Sequence, residues 1–149
     1  MPVTDEQVAV LRALLTGQRE RHRELLSKID QAAANVGYPA LLAAGFFEAV
    51  ERRFIVDGTI MDDTAVIDFV ASVRERTDET PDLIKPDIAE RMILHALDKG
   101  ASISNIDTDI VIQHQLVLLA ALIGDAHLSE PELDAFLHKS RVDADELID

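Results

Sequence analysis

Residues 4–36 read TDEQVAVLRALLTGQRERHRELLSKIDQAAANV, and this stretch decides the fold class. Thr4 and Gln7 have capping-box spacing, a hydroxyl at the N-cap and an amide three residues on, each able to satisfy an orphan backbone N–H. Val3 and Val8 flank them at the spacing of a hydrophobic staple. Apolar residues then recur three and four apart through Val8, Leu11 and Leu15, and again through Leu25, Ile29, Ala32 and Val36. Gln18 and His22 occupy the two rungs between. A seam of this kind buries against another helix, in the same chain or in a second copy, and polar rungs within it set register. The pattern predicts a long N-terminal helix from about Asp5 to Asn35, with Gly17 as the point where it can break in two. The predicted interface is Val8, Leu11, Leu15, Gln18, His22, Leu25 and Ile29.

Composition is consistent with helices throughout. The chain has 149 residues, 48% of them hydrophobic but only 4% aromatic, with no Cys and no Trp. Its core is therefore built from Leu, Ile, Val and Ala, and disulfides and thiolate metal sites are impossible. The sequence reads as a single all-helical domain over 1–149, with residues 1–36 as a dimerisation or docking arm and 37–149 as an acidic body.

Five further helices follow by pattern. The second opens at Pro39, after a Gly37-Tyr38-Pro39 stop signal, and ends at Asp57-Gly58. The third starts near Asp62 and carries Val66, Phe69, Val70 and Val73. The fourth opens at Pro86, with Gly100 as its C-cap candidate. A fifth spans about Asp107 to Ile123 and is apolar on most of its circumference, the mark of a central helix. The sixth begins at a second capping box, Ser129 with Glu132, carries Phe136 and Leu137, and fades into the acidic tail from Asp143. The β-branched stretch Ile103 to Ile112 would make one strand without a partner, so no strand is expected.

Two segments read alike. Phe54 to Gly58, followed by Met61, Asp62, Val66, Phe69 and Val70, matches Leu122 to Ala126, followed by Leu128, Ser129, Leu133, Phe136 and Leu137. Each is an apolar helix, an acidic turn, an N-cap and a new apolar face. They are expected to form two similar helix-turn-helix hairpins, whether by duplication or because any antiparallel helix pair selects that grammar. Neither turn fits a calcium loop, which needs oxygen ligands at positions 1, 3, 5 and 12: from Asp57 position 5 is Met61, and from Asp125 position 12 is Phe136. The acidic turn around Asp125, with its apolar helix before and capped helix after, is similar over about fifteen residues to tellurite-resistance TerB-like helical domains. That resemblance implies a stress-related helical domain and carries no ligand motif.

Charge narrows the partners. The net charge is −14, with 14 basic and 28 acidic residues, and no Lys or Arg occurs between Gly100 and His138. Residues 1–37 are neutral, so the imbalance lies in the rest. Such a surface repels phosphate, which disfavours nucleic acid and anionic lipid. Ala96, Gly100 and Ile106 have helix-turn-helix spacing, but the helix beyond them offers Asn105, Asp107 and Asp109 and no cation. The longest apolar run, Leu116 to Ile123, is short of the ~20 residues of a membrane span. The N-terminus MPVTDEQ lacks a signal-peptide pattern, so a cytoplasmic location is expected.

Catalytic chemistry has no signature here. The five histidines, His22, His95, His114, His127 and His138, form neither Glu-x-x-His nor His-x-x-x-His pairs. Asp134 and His138 lie one turn apart and read as a surface pair. His114, between Gln113 and Gln115, sits on the most apolar helix and reads as its one wet face. There is no nucleophile elbow and no phosphate-cradling glycine loop. The expectation is a non-enzymatic helical interaction module, without cofactor, whose partner is another protein or itself. The alternative is a small-ligand or metal-binding protein with a site near His95 and His114. An acidic nucleic-acid mimic ranks last, because the carboxylates fall at caps and loops rather than in rows.

Overall fold

The computed structural model describes residues 2–28, 36–76 and 84–148. Seven helices are present among the described residues, in the order α1 Asp5–Leu15, α2 Arg19–Lys28, α3 Gly37–Phe54, α4 Asp63–Arg74, α5 Pro86–Ala96, α6 Thr108–Ala126 and α7 Glu130–Ile148. Two short strands, β1 Ile55–Val56 and β2 Thr59–Ile60, lie between α3 and α4. The all-α class therefore holds, and among the described residues the first predicted helix is broken into α1 and α2.

The break follows from the end of α1. Thr16 caps the helix, Gly17 turns into the left-handed region with φ +74, and two closing bonds run from Gly17 N–H to the Leu14 carbonyl (3.2 Å) and from Gln18 N–H to the Ala13 carbonyl (2.9 Å). This is a Schellman closure, which satisfies carbonyls that would otherwise be orphaned and which glycine enters without a Cβ penalty. Two helices, α1 and α2, thus stand where an unbroken helix through Gly17 is expected, and the seam positions Ile29 and Ala32 lie outside the described residues.

The chain divides into two compact units: one formed by residues 1–48 and 123–149, the other by 49–122. These boundaries differ from the expected division into a 1–36 arm and a 37–149 body. The arm shares its unit with α7, because side chains of α7 hold the first residues. Val3 N–H donates to Asp145 Oδ1 at 2.8 Å, Arg141 Nη2 donates to the Val3 carbonyl at 2.8 Å, and Arg141 Nη1 pairs with Asp5 at 2.6 Å. Two turns further along, Arg12 of α1 pairs with Asp134 of α7. Asp134 thus pairs with Arg12 rather than with His138. Val3, Val10, Leu11, Phe136, Leu137 and Ala144 fill the interior of this unit.

In the middle unit, α4 and α5 pack together through Val66, Phe69, Val70 and Val73 on one side and Ala89, Met92 and Ile93 on the other. Phe54 meets Phe69 edge-on with ring centroids 5.7 Å apart, and Arg53 lies 5.3 Å over the Phe69 ring. The strands correct the expectation of none. Asp57 and Gly58 both take positive φ, 52 and 78, which is the two-residue turn that joins antiparallel strands, and Ile55 pairs with Ile60 and Val56 with Thr59. α3 thus ends at Phe54, short of the predicted stop, and Asp57-Gly58 turns a ribbon instead of ending a helix. The second of the two similar segments has no ribbon; after Ala126 the chain turns at His127 (φ 50) and enters α7. Its capping box is present, with Glu132 N–H donating to Ser129 Oγ at 3.3 Å and Ser129 N–H to Glu132 Oε1 at 2.9 Å.

Other boundaries shift for local reasons. α3 starts at Gly37 rather than Pro39, with Ala40 N–H reaching the Val36 carbonyl at 3.3 Å, since a proline in the first turn forfeits no helical hydrogen bond. α5 closes at Asp98, whose φ is 59, and not at Gly100: Lys99 N–H bonds the Leu94 carbonyl at 2.9 Å and Asp98 N–H that of His95 at 3.0 Å. α7 continues through the acidic tail to Ile148. α6 is long and apolar enough to cross a bilayer by length and composition, which the apolar run alone does not suggest. Leu118, Leu119 and Ile123 on this helix are buried in the fold.

Candidate functional site

The predicted interface residues divide at Gly17. On α1, Leu11 and Leu15 are buried within their own unit and Val8 is half-buried. On α2, His22 and Leu25 are half-buried, while Gln18, just before the helix, is exposed and donates to Thr16 Oγ1 at 2.7 Å. Ile29 lies outside the described residues. The stripe is thus continuous in sequence and discontinuous in space: its first half is core, and its second half lies beside a groove.

That groove runs where α2 lies against α1. It has a volume of about 350 Å³ and is lined by Ala13, Leu14, Gly17, Arg19, His22, Arg23 and Leu26. Its floor is apolar, its rim cationic. Leu26 remains 39% exposed beside it. Sequence periodicity picks out His22 here but misses Leu14, Arg19, Arg23 and Leu26, because the turn at Gly17 rotates α2 away from the straight-helix register. The His22 imidazole is held below its ordinary pKa by burial, and its Nε2 has no hydrogen-bond partner among the described residues. Neither Arg19 nor Arg23 has an ion-pair partner among them, whereas Lys28 pairs with Glu24 at 3.1 Å.

α2 itself is unusual. Its ten residues, RERHRELLSK, include none that is buried. Leu25 and Leu26 are the apolar residues of α2 among those described, and the fold leaves both partly open.

The alternative site near His95 and His114 looks different. His114 is 2% exposed; its Nε2 accepts from Lys85 N–H at 3.0 Å and its Nδ1–H donates to the Ile110 carbonyl at 2.8 Å. Both ring nitrogens are committed, so the side chain ties α6 to the residue that opens α5. Gln115 is buried beside it in sequence, and only Gln113 is exposed, so the trio is not the wet face expected. His95 is exposed, with Nδ1 2.9 Å from the Ala101 carbonyl. Among the described residues no three His, Asp or Glu side chains converge as a metal-ion cluster would require.

No protein-family model, curated protein or solved structure matches the chain.

Proposed function

We propose that this chain is a non-enzymatic helical interaction module that self-associates through its N-terminal helices, with α2 rather than a continuous α1–α2 seam as the contacting element. The observation that carries the reading is α2, none of whose residues from Arg19 to Lys28 is buried, next to a groove of about 350 Å³ floored by Ala13, Leu14 and Leu26. Burying that floor would stabilise a pair of copies at ~25 cal/mol per Å² of apolar surface covered. His22, half-buried with Nε2 unpartnered, would then act as a polar register element whose partner comes from the opposing surface.

Light scattering behind size exclusion tests this. A dimer is expected for the wild-type chain, and Leu25→Asp or Leu26→Asp is expected to give a folded monomer, since both side chains are partly open in the single copy. A wild-type chain that stays monomeric as its concentration is raised would overturn the reading.

A further inference from the structure

We infer that the occupant of the α1–α2 groove is the carboxy-terminal end of α7 from a second copy of this chain. The inference rests on the self-association just proposed and names its other half. Charge is the first argument. α2 carries Arg19, Arg21, Arg23 and Lys28 against Glu20 and Glu24, a basic patch in a chain of net charge −14. The segment from Val142 to Asp149 holds Asp143, Asp145, Glu146 and Asp149 and no cation. Glu146 has no ion-pair partner among the described residues, which mirrors Arg19 and Arg23.

Apolar fit is the second argument. Leu147 is 63% exposed, the most open of the large apolar side chains described, and it sits next to Glu146. The groove offers the matching arrangement, an apolar floor under a cationic rim. A leucine seated on Leu14 and Leu26 places its neighbouring carboxylate at Arg19 and Arg23.

Position excludes the chain's own tail. The ion pairs Arg141 to Asp5 and Arg12 to Asp134, with Val3 N–H on Asp145, run α7 antiparallel to α1 and set the end of α7 at the start of α1. The groove lies at the other end, around Ala13, Leu14 and Gly17. Asp5 and Leu15 are separated by about 15 Å of helix rise, so Leu147 does not reach its own groove. Two copies placed antiparallel bring each groove to the other's α7 end, and the contact is made twice, as a twofold pair requires.

The test is charge reversal in the full-length chain, read by sedimentation equilibrium, with circular dichroism to confirm that each variant is folded. Arg19→Glu with Arg23→Glu is expected to raise the dimer Kd at least tenfold, as is Glu146→Arg, because each sets like charges together. Combining all three substitutions in one chain is expected to restore the wild-type Kd. Raising salt from about 0.05 to about 0.5 M is expected to weaken the wild-type dimer. Should the α2 double variant fail to fold, Glu146→Arg and Leu147→Asp carry the test, since both positions are exposed. A dimer lost with Leu26→Asp yet indifferent to Glu146→Arg and Leu147→Asp overturns this occupant and leaves self-association standing. A wild-type monomer overturns both.

Discussion

The side chain of Gln7 lies directly against the Cα of Gly37. A methyl group on Gly37 would fall 2.5 Å from Gln7 Oε1 and 2.8 Å from Nε2. Gln7 is fully buried and has little freedom to move, because its Oε1 accepts from Thr4 N–H at 3.1 Å as half of the capping box. The start of α1 and the start of α3 are therefore fitted to one another through an amide and a missing side chain.

Gly37→Ala is expected to destabilise the chain by about 1–3 kcal/mol, from overpacking and a broken capping box. In a Gln7→Ala background the same substitution is expected to be near neutral. A double-mutant cycle by urea unfolding measures the coupling, and additive effects would mean that the two residues do not touch.

Tyr38 gives a spectroscopic test, since it is the sole tyrosine of the chain. Burial pushes its hydroxyl up to about 12, and the hydroxyl has no hydrogen-bond partner among the described residues. Absorbance at alkaline pH is expected to show no phenolate at pH 10. The folded value lies above the unfolded one, so the contribution to stability is intact below about pH 10 and is lost as pH rises toward 12. Tyr38→Phe is expected to leave stability unchanged or raise it by up to about 1 kcal/mol, because it removes a buried donor that is not satisfied.

His114→Ala is expected to cost about 3 kcal/mol in chemical unfolding. It orphans the Lys85 N–H and the Ile110 carbonyl and leaves a cavity in a buried position. A chelator added to the wild-type chain is expected to leave the thermal midpoint in place. A midpoint that falls with chelator would return His114 to the role of a ligand.

Asp98→Gly is expected to stabilise the chain by about 0.5–1 kcal/mol, because Asp98 holds a left-handed conformation at the end of α5 that glycine adopts without strain. Thermal melts of the two proteins check this, and a lower midpoint would indicate a side-chain contribution from Asp98.

The sequence makes helices legible wherever a cap and a periodic face agree. Thr4 with Gln7 and Ser129 with Glu132 form the capping boxes that their spacing predicts. Gly17 is legible as a place where a helix can break, but the seam through Gln18 and His22 favours continuity, and the choice depends on hydrogen bonds that close only in three dimensions. The Asp57-Gly58 turn is a strong hairpin signal masked by the strands' length of two residues each. Asp98 in place of Gly100 at the end of α5 shows the limit of residue preference: an aspartate accepts the strained position because the preceding apolar face sets where the helix stops. The groove is invisible to periodicity, since its lining comes from two helices whose relation is fixed by the break between them.

The clamp of Asp145 and Arg141 on the Val3 backbone ties the amino-terminal residues to the final turns of α7. Reporters fused before Val3 and after Ile148 would therefore leave the molecule from the same place. A donor and acceptor fluorophore pair at those positions would transfer energy efficiently in the native chain and lose that transfer on denaturation, giving an optical readout of folding that needs no tryptophan.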